Sequence, residues 1–370
     1  MKILISSRCS WTLYNFRRGL CRVLQEKGWH VLVGGAGGDG YDQKLQQQGL
    51  EFEDLPVDKK GLNPWRDIQL CWSLYQWYRR EQPDVVHHFT VKPVIYGSLA
   101  ARFAGVPKVI STITGLGYAF IGERRLLQRV VMWLYRLSLS ACHTVFFQNT
   151  EDMAFFLEHR LVTEEQAKLI PGSGVDTAFF APVPATRSTA VRFLFPSRLL
   201  KDKGVCEYVA AARWIKKSYP ETIFWLLGDR DVRNPAVISA TQLKEWQREA
   251  VVEYLGMAED VREIMGQADV VVLPSYREGL SRVLLEAASM EKPLITTDVS
   301  GCREVVDDGV NGLLVPVRSI SSLVDAMTKM LESGAAQRVR MGKQGRERIQ
   351  GHFDEKIVIQ QTLIAYEGKP

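Results

Sequence analysis

The chain has 370 residues, 46% of them hydrophobic and 24% charged, the proportions of a protein that folds throughout, and its length is about twice that of a usual domain, which excludes a peptide hormone, a zinc finger or a disulfide mini-scaffold. Lys and Arg number 47 against 42 Asp and Glu, a net charge of +5 that is too small to argue for nucleic acid. The balance is uneven: 19 basic and 11 acidic residues fall within 1–150, so the excess positive charge is N-terminal. Six scattered cysteines, with no C-x-x-C pair, point to neither a zinc site nor a disulfide framework and suit a reducing cytoplasm. The apolar run after Met1 is too short for a signal peptide, and no uncharged stretch reaches the roughly 18–20 residues of a spanning helix.

In chain order, short branched-apolar runs at Lys2–Ile5, His30–Val33, Asp84–His87, Val109–Thr112 and Thr144–Gln148 are predicted strands separated by helical stretches. Pro171–Asp176, then Pro182, Pro184 and a Thr/Ser/Ala-rich stretch, have the composition of an interdomain linker, with a boundary near residue 185. A second series follows at Val191–Pro196, Ile223–Gly228, Val251–Leu255, Val270–Pro274, Leu294–Thr297 and Gly312–Val315, and a last helix is predicted over Asp354–Tyr366. Continuous apolar strands alternating with helices mean parallel sheets covered on both faces. The expected fold is therefore α/β, with two doubly wound Rossmann-like domains, 1–185 and 186–353, a terminal helix (354–370) crossing back to the first, and ligands in an interdomain cleft.

Gly35-Ala36-Gly37-Gly38-Asp39-Gly40 matches G-x-G-x-x-G, with Asp58 about twenty residues on, which leaves open an NAD-dependent oxidoreductase. Against it, the motif follows the second strand and precedes a very short helix. A stronger signal is Pro274–Glu286. Here a strand ends at Pro274 and a helix starts near Ser281, an expected N-cap that would deliver the backbone N–H groups of Gly279, Leu280 and Ser281 as an anion seat. Glu278 and Glu286 flank the helix start about 10 Å apart by helical rise, a spacing able to bracket a nucleotide sugar. That spacing is wide for a glycosidase acid/base pair. Arg198 and Lys203 follow the first strand of the second series, where two cations can neutralise a diphosphate and the charge that grows on it as a sugar leaves.

These elements together, R-L-x-x-x-K-G at Arg198–Gly204, E-x7-E at Glu278–Glu286, the run Thr297–Pro316 and the linker Pro171–Asp176, resemble glycosyltransferase family four, which has the GT-B fold. Val91–Ala101 and Thr112–Tyr118 are similar to its capsule- and glycan-assembly branch, which extends lipid-diphosphate-linked sugars. The resemblance implies a retaining, metal-independent hexosyltransferase that takes a nucleotide sugar, UDP-linked by branch, as substrate rather than cofactor. Arg198, Lys203 and Glu278 would be its catalytic set; Gly279, Leu280, Ser281 and Glu286 would complete donor binding, with Glu286 on the ribose. Arg17, Lys92, Thr114 and Gly115 would serve the polyprenyl-diphosphate-linked acceptor. No protein nucleophile is required, and no Ser/His/Asp or Cys/His arrangement is found.

The pattern departs from the family at Thr114, where a His is common, and at Ser7-Arg8-Cys9-Ser10, where a Gly-Gly turn is common. His87 and His88 end a strand and suit packing better than catalysis. Asp229-Arg230-Asp231 matches a metal-holding D-x-D, yet a diphosphate already neutralised by Arg198 and Lys203 makes a second cation redundant, so a solvated loop is expected. A nucleotide-sugar epimerase of the same fold would need a proton-moving pair that the sequence does not supply. A helix over Glu123–Ser140 places Arg125, Arg129 and Arg136 on one face with Leu127, Val130, Val131, Leu134 and Leu137 largely elsewhere. Together with Trp65, Trp72, Tyr75, Trp77 and Tyr78 it fits a peripheral position on an anionic inner-leaflet surface.

Overall fold

The computed structural model describes residues 1–58, 63–115, 125–183, 190–231 and 234–368. Two compact units are present, Met1–Ser173 with Lys356–Pro370, and Gly174–Glu355. The boundary expected near residue 185 lies outside the described residues. The chain has joined the second unit by Gly174, because Val175 pairs with the backbone ahead of the terminal helix, its N–H donating to the Phe353 carbonyl at 2.9 Å.

The first unit holds β1 (Lys2–Cys9), β2 (His30–Ala36), β3 (Glu51–Asp54), β4 (Val85–Phe89), β5 (Lys108–Ile113), β6 (Thr144–Phe147) and β7 (Ala167–Leu169), in the all-parallel order β3-β2-β1-β4-β5-β6-β7. Side chains alternate across it as the pleat requires. On β1, Ile3 and Ile5 enter one core cluster and Leu4 the other. The Ile3 side is covered by α1 (Ser10–Glu26), α2 (Tyr41–Gln46) and the terminal helix; the Leu4 side is covered by α3 (Pro64–Glu81), α4 (Ser98–Ala104), α5 (Arg125–Leu139) and α6 (Thr150–Glu158). Asn63 caps α3 by accepting from the Trp65 N–H at 3.0 Å, and a proline in its first turn forfeits no helical hydrogen bond.

The second unit holds β8 (Arg192–Pro196), β9 (Ile223–Leu227), β10 (Glu253–Tyr254), β11 (Val270–Leu273), β12 (Leu294–Thr297) and β13 (Gly312–Val315), also all parallel, in the order β10-β9-β8-β11-β12-β13. Its helices are α7 (Val205–Ser218), α8 (Ala240–Arg248), α9 (Arg262–Gln267), α10 (Arg282–Ser289), α11 (Ser300–Arg303), α12 (Ile320–Glu332) and α13 (Gly334–His352); α14 (Glu355–Glu367) returns to the first unit. Both sheets reverse their winding once, between β1 and β4 and between β8 and β11. In open parallel sheets ligands bind at the carboxyl ends of the strands beside such a reversal.

Candidate functional site

At the reversal in the second sheet, β8 ends at Pro196 and its loop runs through Arg198 to a 3-10 turn at Lys201–Lys203; β11 ends at Leu273 and its loop runs through Glu278 to α10. The two loops are clasped together. The Tyr276 N–H donates to the Asp202 carbonyl at 2.9 Å, and the Lys203 ammonium meets Glu278 Oε1 at 2.6 Å, with side chains only 18% and 13% exposed. Gly204 turns the chain into α7 with φ +77, and a Cβ there would stand 2.1 Å from the Pro274 carbonyl oxygen. Gly228, φ +145, presses on the Ser197 carbonyl in the same way. No other residue fits either position without moving the loop.

A third backbone approach fixes the carboxylate loop from behind. A Cβ on Gly301, at the start of α11, would lie 2.4 Å from the Gly279 carbonyl oxygen, and the Gly301 carbonyl accepts from the Ser281 N–H at 3.3 Å. That bond corrects one expectation: Ser281 marks the helix start, but its N–H is engaged within the fold and its hydroxyl makes no capping bond. The Thr297 hydroxyl donates to the Ser275 carbonyl, so the end of β12 braces the same loop.

Arg282 Nε holds Glu286 Oε1 at 2.9 Å one helical turn on. Burial pushes the Glu286 carboxyl above its ordinary range, and the Arg282 charge opposes this. Arg198, half exposed, reaches Asp231 Oδ2 at 3.4 Å, so the D-x-D element contributes an arginine partner. Among the described residues no three His, Cys, Asp or Glu side chains converge as a metal site. Cys302, directly beneath the loop, is fully buried and its thiol is pushed up to about 12, chiefly by burial and secondarily by Glu278. It is no nucleophile.

At the reversal in the first sheet, Lys92 Nζ meets Asp67 Oδ1 at 2.6 Å, and the Tyr96 hydroxyl donates to Asp67 Oδ2 at 3.0 Å. Thr114 and Gly115 follow β5 half-buried, while Leu116–Tyr118, Glu123 and the side chain of Arg125 lie outside the described residues. Arg17 is only 7% exposed, its guanidinium stacked 3.7 Å over the Phe89 ring. His87 and His88 are core residues. His87 bonds the Tyr366 hydroxyl and Thr112 Oγ1 at 2.6 and 2.7 Å, and His88 bonds Ser6 Oγ at 2.9 Å. Sequence reasoning missed Thr90. It follows β4 with φ +71, a left-handed conformation that a β-branched residue adopts only under strain, and its buried hydroxyl oxygen has no hydrogen-bond partner among the described residues. Nothing in its residue type announces that backbone.

The glycine-rich turn is filled by the chain itself. Asp54 Oδ1 takes the Gly37 N–H at 2.8 Å and Asp42 Oδ2 takes the Gly38 N–H at 3.2 Å. Carboxylates occupy the donors a pyrophosphate would need, which disfavours a dinucleotide there.

Two family models account for most of the chain: residues 178–348 match glycosyl transferases group 1, and residues 2–149 match glycosyl transferase 4-like. The chain belongs to these glycosyltransferases. The N,N'-diacetylbacillosaminyl-diphospho-undecaprenol alpha-1,3-N-acetylgalactosaminyltransferase of Campylobacter jejuni is 27% identical over 99% of this glycosyltransferase and 98% of its own length. The UDP-Gal:alpha-D-GlcNAc-diphosphoundecaprenol alpha-1,3-galactosyltransferase of Escherichia coli is 26% identical over 75% of this chain and 74% of its own. Among solved structures, Anabaena HepE in complex with UDP superposes with a TM-score of 0.77 at 18% identity and full coverage of both chains. The glycosyltransferase has the GT-B fold, and transfer with retention fits its family.

Proposed function

We propose that this glycosyltransferase moves a hexose or N-acetylhexosamine from a UDP-linked sugar to a lipid-diphosphate-linked saccharide, during assembly of a surface polysaccharide or glycoprotein glycan at the inner face of the cytoplasmic membrane. The observation that carries the reading is the Lys203–Glu278 pair at the carboxyl-end reversal of the second sheet, with Arg198 earlier on the same loop as Lys203. An ammonium has three N–H donors, so Lys203 can serve Glu278 and a phosphate oxygen together. Fixed positive charge is worth most where negative charge develops, which during transfer is the departing diphosphate. In this assignment Arg198 and Lys203 take the diphosphate, Glu278 takes sugar hydroxyls, Gly279 and Leu280 offer amides, and Glu286 takes the ribose. Acceptor attack on the face the leaving group vacates then needs no protein nucleophile.

Lys92, Thr114 and Gly115 are assigned to the acceptor, together with Arg17, whose guanidinium stacks on Phe89 at the end of β4. The Campylobacter and Escherichia relatives, both named for transfer to undecaprenyl-diphosphate saccharides, support the acceptor class; the UDP held by HepE supports the donor base. The test is a screen of nucleotide sugars against lipid-diphosphate saccharides, with the product anomer read by NMR and each assay repeated in EDTA. A retained configuration and EDTA-resistant turnover are expected. Replacing Arg198 and Lys203 together by Ala should cut turnover by about 10²-fold or more; untouched nucleotide affinity and turnover would overturn the assignment, and loss in EDTA restored by manganese would overturn metal independence.

A further inference from the structure

Strands β1 and β2 pair in step from Lys2 with His30 to Ser6 with Gly34, but the next pair is Cys9 with Ala36, three residues along β1 against two along β2. One extra residue is thus inserted in β1 at Ser7–Arg8, a β-bulge at the carboxyl end of the strand beside the reversal. The bulge is built from both sides. A Cβ on Gly35, opposite it on β2, would stand 2.7 Å from the Ser7 carbonyl oxygen, so the first glycine of the G-x-G-x-x-G run is the room the bulge needs. From the other side the Ser7 hydroxyl meets Thr12 Oγ1 at 2.8 Å, and Thr12 Oγ1 donates to the Cys9 carbonyl at 2.6 Å. Ser7 and Cys9 are buried, and Arg8 between them is exposed.

A bulge re-aims a side chain, and bulges are over-represented next to active sites. Here the re-aimed group is a guanidinium that no ion pair or hydrogen bond engages among the described residues. The other cations assigned to the acceptor are committed within the fold: Lys92 Nζ lies 2.6 Å from Asp67, and Arg17 is buried with its guanidinium on the Phe89 ring. Strand β4 pairs with β1 so that Ser6 is level with His88. Arg8 and Thr90, each two residues further on, therefore leave the same edge of the sheet from adjacent strands. Thr90 brings a hydroxyl without a partner among the described residues, and Arg8 brings a fork of N–H donors. Donors left without an internal acceptor suit phosphate oxygens, and a guanidinium suits them best because it can bond two at once. We infer that Arg8 and Thr90 form a subsite for the diphosphate of the lipid-linked acceptor, with Arg8 as its principal cation.

The inference deepens the proposed function and rests on its acceptor class. In that reading the donor diphosphate has Arg198 and Lys203 in the second unit, whereas Arg8 belongs to the first and stands where a Gly-Gly turn is common in the family. Such a turn offers backbone alone. An arginine adds charge, which a diphosphate rewards and a neutral saccharide does not.

The test is calorimetry of the full chain saturated with UDP, so that the donor seat is filled, and titrated with farnesyl diphosphate or farnesyl monophosphate. The wild type should bind the diphosphate about tenfold more tightly than the monophosphate, and Arg8→Gln should erase that preference. Arg8→Lys should restore part of it. Thr90→Val, which keeps the branched shape without the hydroxyl, should weaken diphosphate binding by a smaller factor. UDP affinity and melting should stay at wild-type values in all three variants. Equal diphosphate binding by the wild type and Arg8→Gln overturns the inference, as does a wild type that does not distinguish the two lipids. A fall in UDP affinity on Arg8→Gln overturns it as well, by giving Arg8 to the donor. An Arg8-dependent preference without sugar transfer to any lipid-diphosphate saccharide would leave the subsite standing and sink the proposed function, and transfer that Arg8→Gln leaves at the wild-type KM would do the reverse.

Discussion

Lys203 and Thr90 each lie on a segment that leaves the carboxyl end of a strand beside a reversal, Lys203 after β8 and Thr90 after β4, and each is held at a cost that packing alone does not explain. The Lys203–Glu278 pair is mostly withdrawn from water, where desolvating two charges offsets much of their attraction, so the pair is weak evidence of stabilisation and stronger evidence of placement. Thr90 keeps a left-handed backbone although it is β-branched, a conformation that costs on the order of 1–3 kcal/mol. Glycine adopts that conformation freely. Thr90→Gly is therefore expected to leave the melting temperature unchanged or raise it, while transfer to the lipid-linked acceptor falls about tenfold and UDP release without acceptor stays constant. Melting and transfer falling in parallel would show that Thr90 is an ordinary packing residue.

At the scale of elements, the backbone clasp around Glu278 works through α11. The Gly301 Cβ position lies 2.4 Å from the Gly279 carbonyl oxygen, so Gly301→Ala must push the carboxylate loop or itself be displaced. Gly312 offers a matched comparison: its Cβ would meet the Leu294 carbonyl oxygen at 2.5 Å, but both residues begin their strands, at the edge of the sheet away from the carboxyl ends. Both alanine variants should lose stability by a similar amount, and only Gly301→Ala should lose turnover, by about tenfold or more in kcat, since small misplacements of catalytic groups are expensive. Equal loss of kcat in the two would reduce Gly301 to a fold glycine.

The same elements mark what the sequence could and could not disclose. The inner strands of the second sheet were legible, because strands buried on both faces read as continuous apolar runs such as Val270–Leu273. In the first sheet β3 and β7 were missed: both are edge strands, β3 spelling Glu-Phe-Glu-Asp and β7 only three residues long, and an edge needs no apolar run. For the candidate site, residue type alone singled out Arg198, Lys203 and Glu278. The bond between Ser281 and Gly301, the burial of Arg17 and the strain at Thr90 depend on backbone paths that converge from distant parts of the chain, and no local pattern encodes them.

At the scale of the whole molecule, the two units carry separate cores, and the buried histidines of the first respond to acid with the opposite sign to Glu286 of the second. His87 and His88 are buried in the first unit. His87 is held well below the ordinary imidazole range by burial first, then by Arg17 and His88, and burial alone pushes His88 down to about 3. The groups facing them are Arg17, Thr112 and Tyr366 around His87, and Ser6 and Tyr78 around His88. The unfolded chain protonates both near 6.5, so between about pH 6.5 and 3 it binds more protons than the folded unit. Stability is therefore present above that window and is lost as pH falls, by at most about 1.4 kcal/mol per pH unit for each histidine. Glu286 in the second unit has the opposite sign, since its raised carboxyl takes up a proton in the folded state first, and acid adds stability across that interval. Calorimetry at pH 7.5 and pH 5 should accordingly show the melting of the first unit moving down while that of the second holds or rises. His88→Asn, which can keep a hydrogen bond to Ser6, should flatten the acid slope of the first transition. Two transitions that fall together with pH, or a first transition indifferent to it, would mean that the buried imidazoles are not what couples this fold to acid.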